Sequence, residues 1–135
     1  TKDRIGALRA LQQEIASHDV AGDEPERRKR TVDAYRALYL AWERAIEEVL
    51  FREAVLRFRK GIETNRLAGV SVTDDDWNAI EAGMTKCSNY RHDGALLGAA
   101  VVPDPNELLT DINALDDWRK QVVQRGEATQ KSRKR

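Results

Sequence analysis

The stretch DEPERRKRTVDAYRALYLAWERAIEEVLFREAVLRFRK, residues 23–60, predicts one long helix and, with it, an all-α protein. Asp23 or Glu24 caps its start, and Pro25 takes the first helical position, where a missing N–H is harmless. An apolar stripe follows at helical spacing, formed by Val32, Tyr35, Leu38, Tyr39, Trp42, Ile46, Val49 and Leu50. A second, slightly rotated stripe continues it through Phe51, Val55, Phe58 and Ile62. We therefore expect the helix to end near Lys60, before Gly61.

A shorter amphipathic segment precedes the long helix. The apolar residues that recur at helical spacing over about residues 3–17 are Ile5, Leu8, Leu11 and Ile15. Their seam is narrow, as at the end of a coiled coil. We therefore interpret residues 1–22 as a helical lead-in to a bundle that covers residues 23–126.

A third helix is predicted to open at Thr73 and to end near Tyr90. Asp76 stands three residues after Thr73, which is the spacing of a capping box. The apolar face of this helix comprises Trp77, Ile80, Met84 and Cys87. We expect all three tryptophans of the chain to be core residues, namely Trp42, Trp77 and Trp118.

The fourth predicted helix has the clearest start in the chain. Asp104 is the cap, Pro105 takes the first position and Glu107 completes the box. We expect the helix to end at Gly126 and residues 127–135, which are polar and basic, to be a disordered tail. Since no strand pattern is present, the chain is predicted to form roughly a four-helix bundle with one long central helix.

Composition excludes several classes of function. The net charge is 0, so no overall field attracts nucleic acid or a membrane surface. The longest apolar run, residues 94–102, is too short to span a bilayer, and the single Cys87 permits no internal disulfide. The motifs of P-loop, serine-hydrolase and zinc-protease sites are absent from the sequence. We expect a cytoplasmic protein with no membrane contact, metal or other cofactor, and, because it starts at Thr1, a fragment of a longer chain or a trimmed one.

A small polar constellation remains as candidate chemistry. Arg59 and Glu63 stand four residues apart at the end of the long helix, and His92 and Asp93 follow the third helix. An imidazole near its free pKa can take and give a proton at neutral pH, which suits RNA cleavage. The same residues are also compatible with a surface ion pair and a loop histidine that caps a helix.

A basic run occupies the first turns of the long helix. It comprises Arg27, Arg28, Lys29 and Arg30. Such a run forms either a solvated helix face or a set of contacts to RNA phosphates, and the pattern leaves both open.

Several stretches resemble one region of a known protein class. They are AWERAIEEVL (41–50), VLRFRKGIETNRL (55–67), GMTKCS (83–88), HD (92–93) and PDPNEL (103–108). Together they resemble the C-terminal helical region of large SMC/RecF-like ABC-type ATPases of phage defence, whose relatives include the anticodon-nuclease ATPases. The resemblance covers roughly residues 32–122.

This resemblance implies a HEPN-like bundle that dimerises and is joined to the ATPase portion of a parent chain. It also implies metal-independent cleavage of RNA, with tRNA as the model substrate. His92 would be the general acid/base, Arg59 or Lys86 would stabilise phosphate charge, and Glu63 or Asp93 would orient a partner. Lys86 occupies the place before His92 at which HEPN proteins carry an arginine.

Two functions are therefore compatible with the sequence. The first is a non-catalytic module that docks or dimerises and positions an effector. The alternative is an RNA-cleaving effector domain that uses His92 as its general acid/base. An exposed apolar patch favours docking, whereas a pocket lined by His92 and cations favours catalysis.

Overall fold

The computed structural model describes residues 1–19, 24–90 and 102–134, and every regular element in these ranges is helical. The elements in chain order are α1 (Lys2–Asp19), α2 (Glu24–Ala45), a π-helical turn (Ile46–Leu50), a 3₁₀ turn (Thr64–Gly69), α3 (Asp74–Ser88) and α4 (Pro105–Arg133). α1 packs against α2 and α4, and α3 packs against the same two helices from another side. The predicted all-α helical bundle is therefore confirmed.

The core forms where the apolar faces of these helices meet. Its fully buried members include Ile5, Ile15, Tyr35, Leu38, Trp42, Leu108, Ile112 and Leu115. The rings of Trp42 and Trp118 lie with their centroids 5.2 Å apart, in the tilted arrangement that aromatic pairs prefer. Because α1 contributes Ile5 and Ile15, it is part of this core rather than the separate lead-in expected at residues 1–22.

The long helix ends earlier than predicted. The α-helix stops at Ala45, and the π-helical turn closes with the Phe51 N–H donating to the Ile46 carbonyl at 2.9 Å. Arg52 and Glu53 then adopt φ of 51° and 59°, in the left-handed region that cannot continue a right-handed helix. The expected helical end near Lys60 is therefore wrong, and residues 51–63, here called the turn segment, are irregular.

Tertiary contacts hold this unusual helix end. Ala54 is fully buried, and the Arg52 side chain lies against Gly69 of the 3₁₀ turn and Gly126 of α4. A Cβ on Gly69 would stand 2.3 Å from Arg52 Nε, so only glycine leaves room for the guanidinium there. These contacts offset the cost of left-handed backbone at two non-glycine residues.

α3 begins as predicted and differs on its apolar face. The Thr73 side chain accepts from the Asp76 N–H, and the Asp76 carboxylate accepts from the Thr73 N–H, which confirms the capping box. Cys87 is buried, but Trp77 is 63 % exposed, so the expectation that Trp77 lies in the core is wrong. Trp77 occupies the first turn of α3.

α4 continues beyond Gly126, where it was predicted to end. Asp104 caps it by accepting from the Glu107 N–H at 2.8 Å, as predicted, but the helix continues through Gly126 to Arg133. Residues 127–133, expected in a disordered tail, are thus helical. Gly126 is buried, and a Cβ there would stand 3.1 Å from the Gly69 carbonyl oxygen, so this glycine serves close packing rather than helix termination.

Candidate functional site

Arg59 binds the main chain of its own turn segment. Its guanidinium donates to the carbonyls of Glu53 and Ala54, the latter at 2.8 Å, and to the carbonyl of Gly61 at 3.2 Å. These three acceptors lack helical partners because the helix has already ended. Arg59 therefore has a structural role in the turn segment, and its predicted role on an RNA phosphate stays a prediction.

Glu63 closes the same turn segment through its main chain. Its N–H donates to the Ala54 carbonyl at 2.8 Å, and its side chain is exposed. Within the described ranges, no ion pair joins the Glu63 carboxylate to Arg59. The expected Arg59–Glu63 pair therefore does not form, since the helical spacing on which it depended is lost.

Lys86 belongs to a different part of the molecule. Its Nζ lies 2.8 Å from Asp111 and 3.0 Å from Glu107, so it ties the end of α3 to α4. Burial alone would lower the pKa of Lys86, but the hydrogen bonds to Asp111 and Glu107 outweigh burial and raise the pKa. Two carboxylates thus already neutralise the cation that was predicted to stabilise phosphate charge.

The core next to Lys86 holds no ready nucleophile. The Tyr35 hydroxyl donates to Asp111, and burial together with that contact raises the pKa of Tyr35. Burial likewise raises the pKa of the Cys87 thiol to about 12. Both groups therefore stay protonated at neutral pH, and a thiol in that state is inert.

His92 and Asp93, the remaining predicted catalytic residues, lie outside the described residues. The basic run lies inside them, at the start of α2. Arg30 bonds Glu26 at 2.9 Å and also pairs with Glu14 of α1, so it joins two helices. The predicted RNA contacts of Arg27, Arg28 and Lys29 stay a prediction.

Sequence reasoning missed a pocket between the turn segment and the end of α4. It has a volume of about 400 Å³, and its polar lining comprises Glu48, Arg52, Glu53, Asn65, Arg66, Gln130 and Lys134. The Arg52 guanidinium donates to Gln130 Oε1 at 2.9 Å, and Arg66 pairs with Glu53 at 3.2 Å. A π-helical turn and left-handed non-glycine backbone stand beside it, and both features are frequent at functional sites.

Most exposed large apolar side chains of the described residues fall between residues 51 and 77 of the sequence. Of the eight large ones, only Leu40 lies elsewhere; the others are Phe51, Val55, Phe58, Ile62, Leu67, Val72 and Trp77. Phe58 is entirely exposed and has a φ of 71°, so strained backbone holds its ring away from the bundle. The second predicted core stripe, from Phe51 to Ile62, is therefore wrong: these residues face solvent.

Two buried carboxylates serve the fold. Asp76 accepts from the Thr73 N–H at 2.9 Å and the Trp118 indole N–H at 3.0 Å, and it pairs with Arg125. Asp116 pairs with Arg9, Arg119 and Lys120, which joins α1 to α4. Cationic and N–H partners surround both carboxylates, so they are structural anchors rather than acid/base candidates.

Two further observations concern metal binding and membrane insertion. Within residues 1–19, 24–90 and 102–134, no cluster of three or more His, Cys, Asp or Glu side chains is placed to hold a metal ion. No helix of these ranges combines the length and apolar character that crossing a bilayer requires.

Comparisons with protein families, with curated proteins and with solved structures find no match to this chain. The all-α bundle, its pocket and its exposed apolar side chains are therefore the features from which we infer a function. The resemblance to phage-defence ATPases therefore stays a prediction drawn from the sequence.

Proposed function

We propose that this chain is a non-catalytic docking module that associates with a second copy of itself and positions an effector. The observation that carries the proposal is the concentration of exposed apolar side chains in residues 51–77, with the fully exposed ring of Phe58 among them. Apolar surface of this kind on a folded domain marks an interaction site. The sequence resemblance adds the ATPase portion of a phage-defence parent chain as the setting.

The turn segment has the rigidity that a docking element needs. Three hydrogen bonds from Arg59 hold its carbonyls, and Arg57 anchors it to the π-helical turn through Glu47 at 2.5 Å. A loop ordered before binding loses less conformational entropy when a partner covers it. The ring of Phe58 is thus presented in a fixed place, as aromatic anchors of interfaces are.

RNA cleavage has weaker support. The cations assigned to phosphate charge are engaged elsewhere: Arg59 with main-chain carbonyls and Lys86 with two carboxylates. A docking function uses the apolar side chains that the described residues leave exposed, so it explains more of the observed features.

Sedimentation equilibrium over a concentration series tests the docking function. We expect a concentration-dependent rise from the 15.3 kDa chain mass to twice that mass. Phe58→Asn removes the ring and tolerates the left-handed backbone at that position, so it should weaken association about tenfold or more without unfolding the chain. Leu40→Gln, an exposed apolar residue outside the segment, is the matched control and should leave association unchanged.

Either of two results contradicts self-association through this surface. One is a single-chain mass at every concentration. The other is an equal loss of association in Leu40→Gln and Phe58→Asn, because the effect would then not depend on residues 51–77.

A further inference from the structure

The pocket between the turn segment and α4 has an excess of positive charge. Arg52, Arg66 and Lys134 line it together with two carboxylates, Glu48 and Glu53. In the described part of the chain, no carboxylate lies within ion-pair distance of Arg52 or Lys134, whereas Glu53 is paired with Arg66. Among the described residues, Arg52 and Lys134 thus face the pocket without a carboxylate partner.

The second carboxylate is neutralised from outside the pocket. Arg44, which does not line the pocket, lies with its Nε 3.1 Å from Glu48. The potential that a ligand meets in the pocket is therefore set by the cations rather than by Glu48 and Glu53.

The donors are held in place before any ligand arrives. Left-handed backbone at Arg52 directs its side chain between Gly69 and Gly126, where there is no room for a Cβ on Gly69. Gln130 Oε1 accepts from Arg52, which leaves the amide N–H groups of Gln130 as donors. The Asn65 amide adds further donors at the rim. The held Arg52 guanidinium, the amide donors and the exposed Lys134 ammonium together match the oxygens of a phosphate group.

From this geometry we propose that the pocket binds the phosphate group of a small molecule of mononucleotide size. A volume of about 400 Å³ falls within the range of small-molecule sites. Apolar side chains of Val49 and Val123 complete the lining and offer contact for the uncharged part of such a ligand. This site does not depend on the docking function and stands or fails separately from it.

The test is a titration of the full chain, at constant ionic strength, with AMP, inorganic phosphate and adenosine, followed by ¹H–¹⁵N NMR. AMP and phosphate should shift the amide signals of residues 52–53, 65–66 and 130–134, and adenosine should not. Lys134→Gln should weaken AMP binding about tenfold, because it removes one charge-assisted hydrogen bond. Lys60→Gln, at an exposed position outside the pocket, is the matched control and should have no effect.

A variant that should strengthen AMP binding makes the test more specific. Glu53→Gln removes the carboxylate that pairs with Arg66 and so frees that guanidinium for the ligand, and AMP binding should therefore tighten several-fold. The proposal is overturned if AMP and phosphate shift none of the pocket signals, or if adenosine shifts them as strongly as AMP. It is equally overturned if Lys60→Gln weakens binding as much as Lys134→Gln in chains whose spectra show the native fold.

Discussion

At the scale of single residues, buried charges join the helices of this protein. Asp76 and Asp116 are 1 % and 3 % exposed, and each is surrounded by N–H donors and cations from other parts of the chain. Removing one partner of such a network leaves an uncompensated buried charge. These two residues therefore link stability to pH more than the many exposed carboxylates do.

Stability should fall on the acid side because of these two groups. Burial acts to raise the pKa of Asp76 and Asp116, but their hydrogen bonds prevail and hold each pKa below the ordinary 3.8. The unfolded chain therefore takes up protons first, so stability present above about pH 4 is lost as the pH falls through the folded pKa values. Urea denaturation between about pH 2 and 6 measures this loss of stability.

Asp116→Asn separates this effect from general acid unfolding. The variant should be less stable at neutral pH and should show a shallower dependence of the free energy of unfolding on pH below about 4. Asp117→Asn, an exposed neighbour, is the control and should keep the parent profile. A parallel profile in Asp116→Asn would contradict the assignment of the pH dependence to Asp116.

At the scale of elements, the end of α2 and the end of α4 depend on each other. The π-helical turn delivers Arg52 to the gap between Gly69 and Gly126, and α4 extends to Arg133, whose guanidinium donates to the Val70 carbonyl at 2.7 Å. The 3₁₀ turn is thus held by Arg52 on one side and by the end of α4 on the other. This arrangement forms the walls of the pocket.

Gly126→Ala tests that packing. A methyl group there would stand 2.8 Å from Arg52 Nη1 and 3.1 Å from the Gly69 carbonyl oxygen, so we expect destabilisation of about 1–3 kcal/mol despite better helix propensity. Gly6→Ala in α1 meets no atom within 4 Å and should stabilise by about 0.5–1 kcal/mol. Urea denaturation of both variants gives the comparison. Equal stabilisation by the two substitutions would show that Gly126 has no packing role.

At the scale of the whole molecule, the four helices form one core with one irregular, partly apolar side. α1 is integral to that core, because Ile5, Leu8 and Ile15 are buried against α2 and α4. Most exposed large apolar side chains of the described residues lie between α2 and α3, and the pocket is formed by this segment together with the end of α4. Packing and interaction surfaces therefore occupy different parts of the fold.

Deletion of residues 1–22 should abolish cooperative unfolding. It removes three buried aliphatic side chains, each worth about 1.5–3 kcal/mol, from a domain whose total stability is of the order of 5–15 kcal/mol. Circular dichroism with thermal denaturation measures the result. Gln13→Ala, at an exposed position of α1, is the control and should stay within about 0.5 kcal/mol of the parent. A deleted chain that unfolds as sharply as the parent would restore the interpretation of α1 as a lead-in.

Local patterns in the sequence were sufficient for the helix starts and the class of fold. The Thr73–Asp76 capping box and the Asp104 cap use residues three positions apart, and the apolar stripes of α2 and α4 repeat within a few turns. Because these interactions span only a few residues, they can be predicted from the sequence without knowledge of the fold.

The helix ends and the candidate sites arise from contacts between distant residues. Arg52, Gly69 and Gly126 meet although up to 74 positions separate them, and their contact gives Gly126 a packing role and builds one wall of the pocket. In the sequence, Arg52 carries no helix-stop signal, and Gly126 has an ordinary local explanation as a helix end. The exposure of Phe58 has the same origin, since helical periodicity continues past Leu50 while left-handed backbone at Arg52 and Glu53 turns the chain out of the helix.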